Sequence, residues 1–197
     1  MAQIQAIGSP VSQLLAGAGI SLSPAGGVGV QTVSGTGMAL IADQLLVAPA
    51  ASISFTNIPQ TFKHLMLYMS GRSDRAAVPL AQISGTFNGD GAAHYTFNGF
   101  NAGAVAGGTA FEAGLLTAAT ATASWADSNK LWIFDYASTT FFKTFLGEEM
   151  SVDGTNNTGG STRGNWQSTA AITSIGLTFA GASNAIAGSR FTLYGLL

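Results

Sequence analysis

Short apolar runs of strand length recur between residues 38 and 197, separated by turn residues such as glycine, asparagine and proline. The clearest run is residues 172–179, where Ile175, Leu177 and Phe179 alternate with polar or small residues. A period of two predicts a strand with one buried face. The chain lacks the strand–helix alternation of a parallel α/β sheet. About eight strands therefore predict an all-β fold, an antiparallel β-sandwich or jelly roll.

Several other runs support this prediction. Residues 63–70 carry apolar side chains at nearly consecutive positions, which predicts a strand buried on both faces. Residues 88–91, with the sequence NGDG, predict a hairpin turn because asparagine and glycine tolerate positive φ. That hairpin would join residues 82–87 to residues 94–97. Residues 190–196 are predicted as the last strand.

The remaining segments are assigned from weaker patterns. Residues 131–136 and 141–146 are predicted to form a second hairpin. Residues 40–47 fit either a strand or a short helix. Residues 98–124 are rich in glycine, alanine and threonine, and we expect a long surface excursion with at most one strand. Residues 153–165 are predicted to be a polar loop.

The N-terminal segment differs in composition from the rest of the chain. Residues 1–42 contain no charged side chain. Ser9 and Pro10 form a helix-start signal, which predicts a helix of at most two turns. The glycine-rich sequence that follows has too little apolar bulk to fold on itself. We therefore predict two parts: an extended glycine-rich arm at residues 1–37, with a flexible tail as the alternative, and a β-sandwich domain at residues 38–197.

The low charge content restricts the classes of partner. Only 8% of the residues are charged, whereas an ordinary soluble domain has about 25%. The formal net charge is −2, and 47% of the residues are hydrophobic. Because a monomer with this composition has little charge to keep it unassociated, we expect partners to cover much of its surface. The seven Lys and Arg residues are too few to favour binding of nucleic acid.

Membrane insertion and disulfide chemistry are not expected. Polar residues or glycines interrupt every apolar run before it reaches the roughly 18 residues of a spanning helix. The N-terminal sequence MAQIQAIGSP lacks the basic flank and apolar block of a secretion signal. The chain has no cysteine, which excludes disulfides and thiolate metal ligands.

The sequence contains no recognised catalytic motif. It has no phosphate-binding glycine loop, dinucleotide fingerprint or nucleophile elbow. His64 and His94 are expected to be hydrogen-bonded strand residues. Asp153, Asn156 and Asn157 are a weak candidate for a cation site, since their spacing matches no known loop. We therefore predict a non-enzymatic protein with no catalytic, cofactor-binding or metal-binding residues.

One enzymatic alternative remains. Glu148, Glu149 and Asp153 follow a predicted strand and stand near Trp125 and Trp166 in the sequence. Paired carboxylates can serve as the acid and base of a glycoside hydrolase, and sugars stack on aromatic rings. Carbohydrate binding without hydrolysis is a second alternative for the same residues.

Three segments resemble a family of tailed-bacteriophage virion proteins. They are SISFTNIPQTFKHLMLYMSGRSD at residues 52–74, the FNGD turn at residues 87–90 followed by HYTF, and AITSIGLTFAGASNAIAGSRFTLYGLL at residues 171–197. Together they extend over most of the predicted sandwich, and they occur in the same order as in that family. The shared residues are core and turn residues, so the resemblance carries over no catalytic residue.

The resemblance implies a structural virion protein with a β-sandwich and a homotrimeric assembly. Our main expectation is a capsid decoration (cement) protein on the outer surface of the virion, made in the cytoplasm of the bacterial host. It would bind the major capsid protein, or another virion protein, through its arm. The alternative is a head-fibre or tail-fibre module that recognises a host surface glycan through loops at residues 98–128 and 153–165.

Overall fold

In the computed structural model the chain divides into two units, Met1–Met38 and Ala39–Leu197. The predicted helix at Ser9 and Pro10 lies outside the described residues. Side chains are described at residues 37–100, 103–152 and 159–197. The described backbone comprises residues 20–23, 32–35, 37–100, 103–152 and 157–197.

The described residues form strands and one short 3-10 turn at Ala180–Ala182, and the predicted all-β fold is confirmed. In the first unit, β1 (Ile20–Ser23) pairs antiparallel with β2 (Thr32–Gly35). The larger sheet has eight strands in the order β3 (Met38–Leu45), β14 (Arg190–Leu196), β5 (His64–Gly71), β10 (Asp127–Phe134), β11 (Lys143–Val152), β12 (Asn157–Trp166), β7 (Tyr95–Gly99) and β8 (Gly103–Gly108). The smaller sheet has four strands in the order β4 (Ser52–Phe55), β13 (Ile175–Phe179), β6 (Leu80–Phe87) and β9 (Phe111–Thr117).

Aromatic side chains from both sheets form the centre of the sandwich. The rings of Phe87 and Phe111 come from the smaller sheet, and those of Tyr95, Phe145 and Trp166 come from the larger sheet. The ring centroids of Phe111 and Phe145 are 4.5 Å apart, and those of Phe87 and Phe111 are 4.7 Å apart. Such pairs add stabilisation to the burial of apolar area, so this cluster joins the two sheets.

The bulky alternating segments form the strands that their pattern predicts. In β13, Ile175, Leu177 and Phe179 are buried. The predicted second hairpin is confirmed, because β10 and β11 pair with Phe134 opposite Thr144. The ambiguous segment at residues 40–47 belongs mainly to strand β3.

Strand β5 departs from its prediction at one position. Leu65, Leu67 and Met69 are fully buried, and Met66 on the opposite face is 8% exposed. Tyr68, however, is 41% exposed. Although β5 lies inside an eight-stranded sheet, the outer face of this sheet is not covered at Tyr68, so the prediction of burial on both faces is wrong there.

The turn at residues 88–91 forms, but it does not make a hairpin. Asn88 and Gly89 have φ values of 54° and 67°, and the Asp90 amide donates to the Phe87 carbonyl at 2.9 Å. The strands on either side, β6 and β7, belong to different sheets. The Asn88 Oδ1 atom accepts hydrogen bonds from the amides of Thr173 and Ser174, which ties the turn to the segment before β13. The turn residues fix the reversal of the chain, but they do not fix its pairing partner.

The predicted excursion at residues 98–124 is wrong, because it contains strands β8 and β9. All seven residues of β9 are buried, and they include the bulky Phe111, Leu115 and Leu116. Small residues allow this close packing: at Gly114, φ is 154° and an added Cβ would lie 2.5 Å from Oδ1 of Asn129. The Asn129 side chain bonds both the amide and the carbonyl of Leu115.

The polar loop predicted at residues 153–165 is also wrong from residue 157 onward. Those residues form β12, which pairs with β11 on one side and β7 on the other. The segment has no bulky alternation because its glycines lie beneath other side chains. A Cβ at Gly160 would lie 2.1 Å from the Phe100 ring, and one at Gly164 would lie 2.5 Å from Cβ of Phe97.

Candidate functional site

The two glutamates proposed as an acid–base pair lie on opposite faces of β11. Glu148 is exposed, and its Oε2 atom is 2.6 Å from Nζ of Lys130 on the neighbouring strand. Glu149 is 7% exposed and faces the interior of the sandwich. Because successive side chains of a strand alternate between faces, these carboxylates cannot flank one glycosidic bond in this strand.

The two tryptophans do not form a shared sugar platform with these glutamates. Trp166 is 2% exposed, and its indole Nε1 donates to Oδ2 of Asp90 at 2.7 Å. Trp125 is 44% exposed in the segment between β9 and β10. The structure therefore places one tryptophan in the core and the other at the surface.

Asp153 and Asn156 lie outside the described residues, as does the side chain of Asn157. The predicted cation site on these three residues stays a prediction. Among the side chains that are described, no group of three or more His, Asp or Glu residues is arranged to hold a metal ion.

Three buried carboxyl groups lie between the sheets, and we call them the interior acid cluster: Glu112 on β9, Asp127 on β10 and Glu149 on β11. The Oδ1 atom of Asp127 accepts hydrogen bonds from the Thr117 hydroxyl and from the Val152 amide. Burial raises the pKa of Asp127 above its usual value. Burial, with repulsion from Glu112 and Asp127, raises the pKa of Glu149 to about 7.

Few features of the sequence indicate that these three carboxyl groups are buried together. The sequence predicts the segment that contains Glu112 to lie at the surface, and Asp127 precedes a predicted strand. The alternation of β11 does identify Glu149 and Glu148 as facing opposite sides, but it does not say which side is buried.

Lys143 is another charged residue that the sequence does not identify as buried. It is fully buried at the start of β11, and burial lowers its pKa. Its Nζ atom donates to the carbonyl oxygens of Phe141 at 2.9 Å and Ser168 at 3.4 Å. These contacts join the loop before β11 to the segment that follows β12.

His94 belongs to a hydrogen-bonded group centred on Asp90. Its Nδ1 atom is 2.7 Å from Oδ2 of Asp90, which also accepts from Trp166. The hydrogen bonds from His94 and then Trp166 hold the pKa of Asp90 below its usual value. The Tyr95 hydroxyl donates to the Asp90 carbonyl at 3.2 Å. Asp90 thereby connects the turn after β6 to strands β7 and β12.

His64 also makes a hydrogen bond, since its Nδ1 atom accepts from the Asp135 amide at 3.1 Å. Its ring packs edge-on against Phe134, with the centroids 5.6 Å apart. His64 begins β5, whereas His94 immediately precedes β7.

The surface carries several large apolar side chains. Strand β3 is the terminal strand of the larger sheet, so among the described strands one of its edges has no partner. Its single charged residue, Asp43, forms an ion pair with Arg190 and accepts a hydrogen bond from the Thr192 hydroxyl, both on the neighbouring strand β14. The exposed apolar side chains on and just after this strand, which we call the β3 surface, are Met38, Leu40, Leu45 and Val47.

A groove of about 450 Å³ lies on β12, β7 and β8 of the larger sheet. Its polar lining residues are Thr96, Asn98, Arg163 and Asn165, and its apolar wall includes Val105. The Oδ1 atom of Asn165 is buried and has no hydrogen-bond partner within the described part of the chain. The groove therefore offers amide, hydroxyl and guanidinium groups beside a small apolar surface.

No helix among the described residues is long and apolar enough to cross a bilayer. Comparison with known proteins gives no match, since no protein-family model, no curated protein and no solved structure is significantly similar to this chain.

Proposed function

We propose that this chain is a non-enzymatic structural protein that assembles with copies of itself, as a homotrimeric capsid decoration (cement) protein on the outer surface of a tailed-bacteriophage virion. Attachment to the particle is assigned to residues 1–37. The resemblance of residues 52–74 and 171–197 to virion proteins is the reason for proposing a location on a virion. The β3 surface is the reason for proposing that the chain assembles with copies of itself. The placement of Glu148 and Glu149 on opposite faces supports a role without hydrolysis.

The observation that carries the proposal is the β3 surface. Leu40 and Leu45 are 61% and 53% exposed on a terminal strand, and one edge of this strand has no partner among the strands that the structure describes. Proteins that remain monomeric usually place lysine or proline on such an edge. Asp43 is the only charged residue of this strand, and it forms an ion pair with Arg190 of the neighbouring strand β14. An exposed apolar edge of this kind favours association with another chain.

The test is to place a charge on this edge and measure the molecular mass. We expect the wild-type chain to scatter light as a trimer and a Leu45→Lys variant to scatter as a smaller species. A Thr178→Lys variant is the matched control, because Thr178 is exposed on β13 of the other sheet. A wild-type monomer at micromolar concentration would contradict the assembly, and a trimeric Leu45→Lys variant would remove the β3 surface from it.

Particle attachment is tested separately by deletion of residues 1–37. The truncated chain should retain the circular dichroism of a β-sandwich but should no longer sediment with virions. Sedimentation equal to that of the full chain would place the anchor in the sandwich instead. The number of copies per particle separates a cement protein, with hundreds, from a fibre, with a few to dozens.

The groove favours a second candidate, a receptor-binding module for a host glycan. Amide and guanidinium groups of Asn98 and Arg163 can bond sugar hydroxyls, and Phe100 nearby in the sequence is 41% exposed. This candidate predicts that the protein binds host polysaccharide and that Arg163→Ala weakens that binding. If no host polysaccharide binds, only the decoration role remains.

A further inference from the structure

Two members of the interior acid cluster, Asp127 and Glu149, have buried carboxyl oxygens without a hydrogen-bond partner in the described part of the chain. Within the described part of the chain, six buried side-chain nitrogen or oxygen atoms lack a hydrogen bond. Five of them are Oδ2 of Asp127, both carboxyl oxygens of Glu149 and the hydroxyl oxygens of Ser151 and Thr162. The Ser151 hydroxyl is nevertheless close enough to Asp127 to lower the pKa of that carboxyl group, so the two oxygens of Glu149 are the least satisfied of the set. These residues lie on the adjacent strands β10, β11 and β12. A buried carboxylate without hydrogen bonds or a counter-charge strongly destabilises the folded state.

The charges nearest to Glu149 in the interior have the same sign. Glu112 faces it from β9 of the opposite sheet, and Asp127 faces it from neighbouring β10. Arg72, just after β5, acts electrostatically on Asp127. The Arg72 guanidinium is engaged by backbone carbonyls, including those of Thr122 and Trp125 at 2.9 and 2.6 Å.

The other basic groups on neighbouring strands lie toward solvent. Lys130 on β10 pairs with Glu148 at 2.6 Å on the outer face of the sheet. Arg163 on β12 is exposed and lines the groove. Among the described side chains, no basic group forms an ion pair with Glu149.

We propose that Glu149 makes the contact between β9 and β11 dependent on protonation, so that the two sheets are held together there when it is neutral and are loosened when it ionises. A neutral Glu149 removes the repulsion from Glu112 across the interface and from Asp127 beside it. Strand β9 packs against β10, β11 and β7, so its displacement would open this part of the sandwich. The inference is independent of the proposed function, because it concerns one isolated chain.

The direction of the pH effect follows from the two states of the chain. In the folded protein the pKa of Glu149 is raised from 4.5 to about 7. Between these values the folded state binds more protons than the unfolded state, so stability falls as the pH rises. The contribution is complete below pH 4.5 and is lost once the pH has passed through about 7. From pH 5.5 to 8.5 the unfolding equilibrium constant should increase roughly 30-fold, which lowers Tm by about 4–8 °C.

The experiment measures the Tm of the full chain from pH 5.5 to 8.5, at one protein concentration, for the wild type, Glu149→Gln and Glu148→Gln. We expect the wild type and Glu148→Gln to lose stability in parallel as the pH rises. Glu149→Gln has nearly the same shape without the ionisable group, so its Tm should be almost constant and higher than that of the wild type at pH 8.5. Glu148→Gln is the matched control, because it changes the adjacent glutamate on the outer face.

Hydrogen exchange, corrected for the intrinsic effect of pH, locates the change. Amides of β9 should lose protection between pH 6 and pH 8 in the wild type and keep it in Glu149→Gln. A wild-type Tm that is constant across the range would overturn the proposal. It would equally be overturned if Glu149→Gln kept the full pH dependence, since another group such as a histidine would then be responsible. Loss of protection spread evenly over all strands would refute a local opening at β9.

Discussion

Substitution of Gly164 by alanine distinguishes a packed strand from a polar loop at residues 157–166. An added Cβ would lie 2.4 Å from the Thr96 carbonyl oxygen, 2.5 Å from Cβ of Phe97 and 2.8 Å from Cζ of Phe145. Two of these atoms move only with strand β7, which is hydrogen-bonded to β12 on both sides of the contact. The methyl group therefore cannot be accommodated by rotation of a flexible side chain.

The two interpretations of the segment predict opposite changes in the free energy of unfolding for Gly164→Ala. Overpacking of this kind costs about 1–3 kcal/mol of the free energy of unfolding. In a loop with compatible dihedral angles, the same change would stabilise the protein by about 0.4–1 kcal/mol, because alanine restricts the unfolded chain. For a chain of this length, a loss of about 2 kcal/mol lowers Tm by roughly 4–8 °C.

The assay is urea and thermal unfolding, monitored by circular dichroism at one protein concentration. Gly147→Ala is the matched control on neighbouring β11, because its Cβ would meet atoms of Leu131 and Thr162 at an ordinary 3.6 Å. We expect Gly164→Ala to be clearly less stable than Gly147→Ala. If Gly164→Ala were as stable as the wild type, or more stable, the packing assigned to β12 would be refuted.

Two further substitutions test the core and the Asp90 group. Phe111→Ala should cost about 3–5 kcal/mol in urea unfolding, because its ring is 1% exposed and contacts both sheets; a loss below about 1 kcal/mol would contradict this. Asp90→Asn should make the protein less sensitive to acid. Partners lower the pKa of Asp90 below 3.8, so its contribution is present above that pH and is lost as the pH falls through the folded-state value. Equal loss of Tm in the variant and the wild type between pH 5 and pH 2 would contradict the role of Asp90.

The strands predicted correctly are those in which alternating bulky side chains indicate which face of the strand is buried. In β13, Ile175, Leu177 and Phe179 are the residues that the smaller sheet buries. The last strand, predicted at residues 190–196, is β14, and its Phe191 and Leu193 are both fully buried. Local alternation is sufficient for such segments, because the partner strand only has to cover a face that the sequence already marks.

Strand partners were harder to predict, because pairing depends on residues distant in the sequence. The residues around Asn88 predict a turn on their own, yet the Asn88 amide donates to the Ser174 carbonyl and the Asn88 side-chain oxygen accepts from the Ser174 amide. That contact joins positions 86 residues apart and places β6 beside β13 rather than β7. A turn sequence therefore predicts that the chain reverses, but it does not show that the two strands on either side of the turn pair with each other.

The glycine-rich strands have the composition of loops for a different physical reason. Composition treats glycine as a residue of turns, but here several glycines provide space for a large side chain of the opposite element. A Cβ at Gly160 would lie 2.1 Å from the Phe100 ring, and one at Gly99 would lie 2.3 Å from Oε2 of Glu112. Each glycine is thus required by a residue far along the chain, which a local pattern cannot show.

Gly99 also connects the packing of the sandwich to its electrostatics. Because a side chain at this position would occupy the site of the Glu112 carboxyl group, the glycine allows Glu112 to be fully buried between the sheets. Burial of Glu149 itself raises its pKa, and charge repulsion from the Glu112 carboxyl group on the facing strand raises it further. A residue without a side chain on β7 therefore helps to set the protonation of a carboxyl group on β11. The pH response of this part of the sandwich follows from how closely its strands approach, and not from the small number of charges on its surface.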